Sequence, residues 1–175
     1  MRDGDVLEKN PHVSLSALEA IHGHVYGWAL SRCDFDHATA EDLMQQAYVE
    51  VLSGRARFNN KSSLKTFVFS VVQNLARSRF RRMASRLRLL QQHAQLAHAD
   101  VVDAVEPADD DGVWSAVKAL PARQRDIVEL VFCRELTIEE ASKVMGVSTG
   151  TGRVHYDRAK KALRSRLLQS ALDEK

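Results

Sequence analysis

The densest chemistry in the chain lies in its last quarter, where a short segment (137–146, TIEEASKVMG), a turn (147–150) and a basic segment from Thr151 to about Leu168 follow one another. Thr137 and Glu140 stand three apart, the spacing of a capping box at a helix start, and Gly146 supplies a C-terminal stop. The basic segment carries Arg153, Arg158, Lys160, Lys161, Arg164 and Arg166 against one acid, Asp157. A capped helix, a glycine turn and a basic helix form the pattern that puts a second helix into the major groove. Tyr156, Ala159 and Leu163 recur at three- and four-residue steps, with Gly152 on the same stripe, and are expected to pack inward. The opposite face presents Arg153, Val154, Asp157 and Arg158. Arg153 suits a bidentate guanine contact, Asp157 a cytosine amine, and Val154 a thymine methyl. Lys160, Lys161, Arg164 and Arg166 suit phosphate, which positions without specifying. The plain alternative for each of these side chains is a solvated helix surface. Gly152 is expected to cost its helix about 1 kcal/mol relative to alanine. Alanine there should therefore stabilise the fold, whether or not glycine also allows close approach to DNA.

A second cluster lies in the first half. Phe58, Phe67, Phe69 and Phe80 are interleaved with Arg55, Arg57, Lys61, Lys65 and Arg77. Aromatics among cations suit single-stranded nucleic acid, where bases stack and phosphates need positive charge. The competing account makes Phe67 and Phe80 core residues of a helix. Phe58, in a polar loop, is harder to assign to a core.

The elements that must position these residues are helical. Three prolines, eight glycines and almost no alternating pattern favour an all-α fold. Apolar residues at helical spacing mark a first helix over 15–32, with Leu18, Ile21, Val25, Trp28 and Ala29. A second over 39–53 carries Leu43, Ala47 and Leu52 on one side and a Thr39/Asp42 cap. A third over 64–82 is apolar at Phe67, Val68, Val71, Val72, Leu75 and Phe80, and its periodicity continues weakly to residue 99. Residues 54–63 read as a polar, basic loop. After the linker, a short helix over 113–120 precedes one opened by Pro121 and running to Cys133.

Charge divides the chain in the same way. Residues 51–99 hold ten Lys/Arg and no acid, residues 100–112 hold six acids and no base, and from 113 onward twelve bases face eight acids. The expected organisation is two small helical domains, 1–99 and 113–175, joined by a flexible acidic linker, 100–112. Cys33 and Cys133 are lone cysteines with no CxxC spacing and read as reduced, core-type thiols. Residues 1–10 are too charged for a secretory signal, and no stretch approaches a membrane span, so a cytoplasmic protein is expected.

Four motifs in order resemble the extracytoplasmic-function (ECF) sigma factors of bacterial RNA polymerase. Asp42-Leu43-Met44-Gln45-Gln46-Ala47-Tyr48 is similar to their polymerase-binding helix. Ser63-Leu64-Lys65-Thr66-Phe67-Val68-Phe69 with Gln73-Asn74-Leu75-Ala76-Arg77 resembles their promoter-opening helix. Ala119-Leu120-Pro121, Gln124-Arg125 and Arg134-Glu135-Leu136-Thr137 resemble the opening of their C-terminal domain. Val147-Ser148, Gly150-Thr151 and Arg158-Ala159 resemble its turn and recognition helix. The resemblance implies that Asp42, Gln45 and Gln46 face core polymerase. A loop of Phe58, Asn59, Asn60, Lys61, Ser62 and Ser63, with Asn74, Arg77 and Arg81 nearby, would hold an extruded minus-ten base and the adjoining DNA, offsetting the few kcal/mol that base flipping costs. Arg153, Val154, Asp157, Arg158 and Lys161 would meet the minus-thirty-five element. The family also implies an anti-sigma factor, often membrane-anchored, and a linker whose acids occupy basic polymerase channels. Gln46, Ala47, Phe67, Gly152, His155 and Asp157 depart from the family's usual residues, so promoter sequence does not carry over.

An enzyme is disfavoured, since glycine-rich phosphate loops, GxSxG and HExxH are absent from the sequence. No cofactor, metal or small-molecule substrate is implied. Cys33 and His37 have the only one-face ligand spacing, and surface histidines are the better account. The serious rival is a stand-alone helix-turn-helix regulator whose N-terminal helices dimerise or sense a ligand. A regulator needs no acid-free basic block in its first half, and promoter opening does. A helical adaptor that binds only protein leaves both basic blocks unexplained.

Overall fold

The computed structural model describes residue 10, residues 13–93 and residues 112–173, and every described element is helical. Most of the acidic linker, with its six acids, and residues 94–99 lie outside the described residues. The first block comprises α1 (Leu15–Ala20), α2 (His22–Ser31), α3 (His37–Leu52) and α4 (Leu64–His93). The second comprises α5 (Gly112–Lys118), α6 (Ala122–Val128) running into a π-helical turn (Glu129–Cys133), α7 (Ile138–Met145) and α8 (Thr149–Asp173).

In the first block α2, α3 and α4 pack on one another around Val25, Trp28, Leu43, Ala47, Val51, Val68, Phe69 and Val72, each 1% exposed or less. Several expectations are corrected here. The first helix is interrupted at Ile21, whose φ of −106° and ψ of 2° leave the helical region. The α3 cap is Asp36, not Thr39 with Asp42: the Asp36 carboxylate accepts from the Thr39 amide at 2.7 Å. Val51 takes the core position expected of Leu52, which is half-buried. Phe80 is not core but 73% exposed, whereas Phe69 is fully buried and stacks on Trp28 at 5.9 Å. A three-residue step from the core run 68–69–72 stays on the buried face, and by residue 80 the helix has passed beyond its neighbours.

The second block is built around α8, against which α5, α6 and α7 pack. The capping box is present as expected: Thr137 Oγ1 accepts from the Glu140 amide at 3.2 Å, and Glu140 Oε2 accepts from the Thr137 amide at 3.0 Å. Gly146 ends α7 at φ 66°, a left-handed conformation that favours glycine. Ser148 Oγ then accepts from the Thr151 amide at 3.1 Å and caps α8. Pro121 stands at the N-cap of α6, and the expected helix to Cys133 changes to the wider π turn at Glu129.

The two helical domains, one on each side of the linker, as expected, also touch one another. Their buried apolar side chains form one continuous cluster, and α4 packs directly on α7. Among the described residues no helix is long and apolar enough to cross a membrane.

Gly152 has a packing role that its helix position alone conceals. It is buried where α8 crosses α7, and a Cβ there would collide with Ser142 Oγ and lie 3.1 Å from Ser142 Cβ. Rotating Ser142 away would break its hydrogen bond to Ile138 O, 2.6 Å long. The expected gain of about 1 kcal/mol from helix propensity is therefore outweighed by overpacking, which costs about 1–3 kcal/mol. Contrary to the sequence expectation, Gly152→Ala should lower the urea midpoint of the full chain, and adding Ser142→Gly should recover part of the loss.

Candidate nucleic-acid and polymerase interface

Three exposed surfaces hold the residues singled out by sequence. On α3, Asp42, Gln45 and Gln46 are exposed on one side, and Leu43, Met44 and Ala47 are buried on the other. Val49, 52% exposed, extends the outer face at the i+7 position and adds an apolar element that the polar pattern did not suggest.

The loop before α4 is held open by local hydrogen bonds. Asn59 Oδ1 accepts from the Lys61 amide at 3.2 Å, and Asn60 adopts a left-handed φ of 57°. Ser63 Oγ accepts from the Thr66 amide at 3.2 Å and starts the helix. Asn59, Asn60, Lys61 and Ser63 are exposed, and Ser62 is half-buried. Phe58 is half-buried against Phe67, ring centres 5.1 Å apart, so it is partly a packing residue after all. Sequence reasoning missed Asn10, which pins this loop. Its amide nitrogen donates to Val51 O at 2.6 Å and Ala56 O at 2.7 Å, and its oxygen accepts from the Phe58 amide at 3.0 Å. A lone asparagine in a charged N-terminal stretch carries no periodic signal.

Further along α4, Asn74 and Arg81 are exposed, and Arg81 donates to Ser78 Oγ at 3.2 Å. Arg77 differs: it is half-buried, and its Nη2 donates to Met145 O of α7 at 2.8 Å. Burial, and then the neighbouring Arg123 cation, push its pKa down. Of the four interleaved aromatics, Phe69 is core, Phe67 and Phe58 face each other, and Phe80 is exposed. A continuous stacking platform of those four rings is thereby ruled out.

On α8 the division into faces is as expected. Gly152 and Ala159 are buried, Tyr156 and Leu163 are half-buried, and Tyr156 stacks on Phe132 at 6.0 Å. Arg153, Val154, Asp157, Arg158 and Lys161 are exposed. Lys160 stays close to the helix, 3.5 Å from Asp157 and 4.8 Å above the Tyr156 ring, so Asp157 is already engaged by a cation. Cys33 and Cys133 are half-buried free thiols whose pKa burial raises. The Cys33/His37 pair draws no third ligand: among the described residues no group of three metal-binding side chains occurs, and His37 Nδ1 is bonded to Tyr26 OH at 2.6 Å.

A helix-turn-helix domain with an exposed cationic face, packed on a helical domain with a basic edge, defines a two-domain DNA-binding protein. The chain matches the models for Sigma-70 region 2 over residues 17–86 and Sigma-70, region 4 over residues 116–165. It is 31% identical over 128 residues to the ECF RNA polymerase sigma factor SigF of Caulobacter vibrioides, covering 73% of this chain and 70% of that protein. It is 25% identical over 140 residues to the ECF sigma factor SigX of Bacillus subtilis, covering 75% and 72%. The fold is similar to that of the sigma factor RpoE of Bartonella quintana, solved with the anti-sigma factor NepR (TM-score 0.63, 23% identity, 87% of this chain and 94% of that one). It is also similar to CnrH solved with the cytosolic domain of CnrY (TM-score 0.59, 20% identity, 94% and 95% covered). The chain belongs to the ECF RNA polymerase sigma factors, the family that its four motifs resemble, and is a transcription-initiation factor rather than an enzyme.

The capping box gives a pH prediction. Hydrogen bonding to the Thr137 amide, opposed by partial burial and aided by the Thr137 and Thr66 hydroxyls, holds Glu140 below the ordinary glutamate value. A carboxyl with a lowered folded pKa stabilises fully above its unfolded value, and that contribution is lost as pH falls through the folded one. Thr137→Ala should cost about 1 kcal/mol at neutral pH. It should also raise the Glu140 pKa, so that less stability is lost on acidification. Side-chain NMR titration and denaturation at several pH values measure both.

Proposed function

We propose that this sigma factor engages core RNA polymerase through the Asp42, Gln45 and Gln46 face of α3, with Val49 as its apolar element. In this reading the Phe58–Ser63 loop, with Asn74, Arg77 and Arg81, holds the opened minus-ten DNA. Arg153, Val154, Asp157 and Arg158 read the minus-thirty-five element, and Lys161 holds its backbone. The observation that carries the reading is the single exposed face of α8, four base-reading candidates set opposite a buried Gly152–Ala159 stripe. The domain limits 1–99, 100–112 and 113–175 are part of this proposal, as is action in the cytoplasm, where core polymerase works.

An inhibitory protein partner fits the same reading. RpoE and CnrH were each solved with a partner, NepR as an anti-sigma factor and the cytosolic domain of CnrY. In this chain a cavity of about 580 Å³ between the domains is lined by Phe35, Trp114, Val117, Arg32, Lys118 and Cys133, with Phe35 61% and Trp114 49% exposed. Apolar rings left in a groove between domains suit an inserted side chain from an anti-sigma helix.

Each domain alone covers little DNA, so affinity should come from being held at fixed spacing on the polymerase. In run-off assays the chain should direct core polymerase to a defined promoter, and alone it should not shift duplex DNA. Tight, specific binding by the free protein would favour the stand-alone regulator. In a promoter library, Arg153→Ala should cost about 1–3 kcal/mol and relax preference at one minus-thirty-five position. Lys161→Ala should weaken all promoters alike and lessen salt dependence. Identical preference profiles for wild type and Arg153→Ala would reassign the groove face.

A further inference from the structure

We propose that the far end of α4 is a docking seam for an acidic amphipathic helix of a separate protein, paired as in a two-stranded coiled coil. The seam is an apolar row that the described residues leave uncovered. Phe80, Met83 and Leu87 stand at steps of three and four residues, the a and d spacing of a heptad, and are 73%, 56% and 56% exposed. The sequence keeps the same step to Leu90. Earlier in the helix Val68, Phe69 and Val72 are core, but from Arg79 to Leu89 every side chain is exposed except Ala84, which is half-buried. A continuous exposed apolar row marks an interaction site, whereas single exposed apolar residues do not. Arg79, Arg81, Arg82, Arg86 and Arg88 share this stretch with no acid. At about 100° per residue, Arg79 and Arg86 fall on one shoulder of the row, and Arg81 and Arg88 on the other.

The charge on the shoulders selects the occupant. A second copy would set its own arginines against these, and like charges facing each other suppress pairing. Phosphate would satisfy the arginines and leave the apolar row in water. A lipid surface takes a helix with a broad apolar face. This row spans roughly 60° of the circumference, the narrow seam of a helix pair, and Leu89 lies on the far side. The chain's own acidic stretch, residues 100–112, is broken by Pro107, which cannot sit inside a pairing helix. A helix with apolar a and d positions and Asp or Glu beside them meets both demands. Its knobs fill the row, and its carboxylates pair Arg79 and Arg86, which occupy successive g positions, where partner choice is set. The seam shares no residue with the groove of Phe35 and Trp114 or with the α3 face of Asp42, Gln45 and Gln46. It also uses neither the minus-ten nor the minus-thirty-five assignment.

The probe is a labelled peptide of three heptads, leucine at a and d and glutamate at e and g, read by anisotropy against the full chain. Two control peptides carry lysine in place of glutamate, or the same residues in scrambled order. The acidic peptide should bind at least about tenfold more tightly than either control. Leu87→Ser should weaken it about tenfold, with circular dichroism unchanged because the side chain is exposed. Arg86→Glu should weaken it by a similar factor, and a peptide with lysine for the facing glutamate should recover the loss. An unfolded variant would show no such recovery. Equal binding of the scrambled peptide would reduce the surface to charge alone, and unchanged binding by both variants would put the peptide elsewhere; either result overturns the proposal. Sedimentation showing self-association, or flotation with phosphatidylglycerol vesicles, that Leu87→Ser abolishes would assign the row to a second copy or to lipid and overturn it too. Replacing the six acids of residues 100–112 with asparagine should leave the peptide affinity unchanged, and a gain of about tenfold would make that stretch the occupant instead.

Discussion

The Arg32 side chain is only 11% exposed, and a cation so nearly buried must be paired. Its guanidinium lies over the Trp28 ring at 4.1 Å and between Asp126 and Glu129, so in the packed chain the second domain both covers the charge and supplies the carboxylates that pair it. Removing one member of such a set costs about 3–5 kcal/mol, because the others are left buried and uncompensated. Much else depends on that pairing. Glu129, shared between Arg32 and Arg134, brings the π turn against α2, and the turn's end delivers the Arg134 carbonyl to Lys65. The α4–α7 contact follows from the same placement.

The helix-turn-helix obeys a tighter and more local constraint. Two helices cross most closely where small residues meet, and Gly152, with no side chain, supplies that point against Ser142. The capping box at one end of α7 and the left-handed Gly146 at the other set where that helix begins and ends, and hence where α8 can cross it. With the crossing set, residues 153, 154, 157 and 158 are turned outward and 152 and 159 inward. The exposed face of α8 is a consequence of how it packs, and the same buried stripe that holds the domain together orients the side chains we propose are offered to DNA.

Much of this was legible in the chain itself. Capping residues, helix-stopping glycine and three- and four-residue apolar steps are local signals, and they located α7, α8 and the outward face of each domain. Family membership was legible for the same reason, because motif order survives where overall identity does not. Other features were misread where the sequence signal was ambiguous at short range. Asp36 and Thr39 are both acceptable caps three residues apart, and only the backbone geometry at Asp36 decides between them. Phe69 and Phe80 have the same chemistry, and their burial differs because neighbours cover one part of α4 and not the other.

What the sequence determined by itself is helical structure, its starts and stops, and the charge carried by each segment, since these depend on residues within one or two turns of each other. Tertiary structure decided what each exposed-looking residue touches. Asn10 holds a loop more than forty residues away, Arg134 bonds a backbone oxygen at Gly27, and Arg77 caps a helix in the other domain. Gly152 reads as a weak point in a helix until Ser142 is placed beside it. Such pairings join positions that no periodicity links, and they arise because burying a polar group or crossing two helices imposes a partner that only the folded chain can bring near.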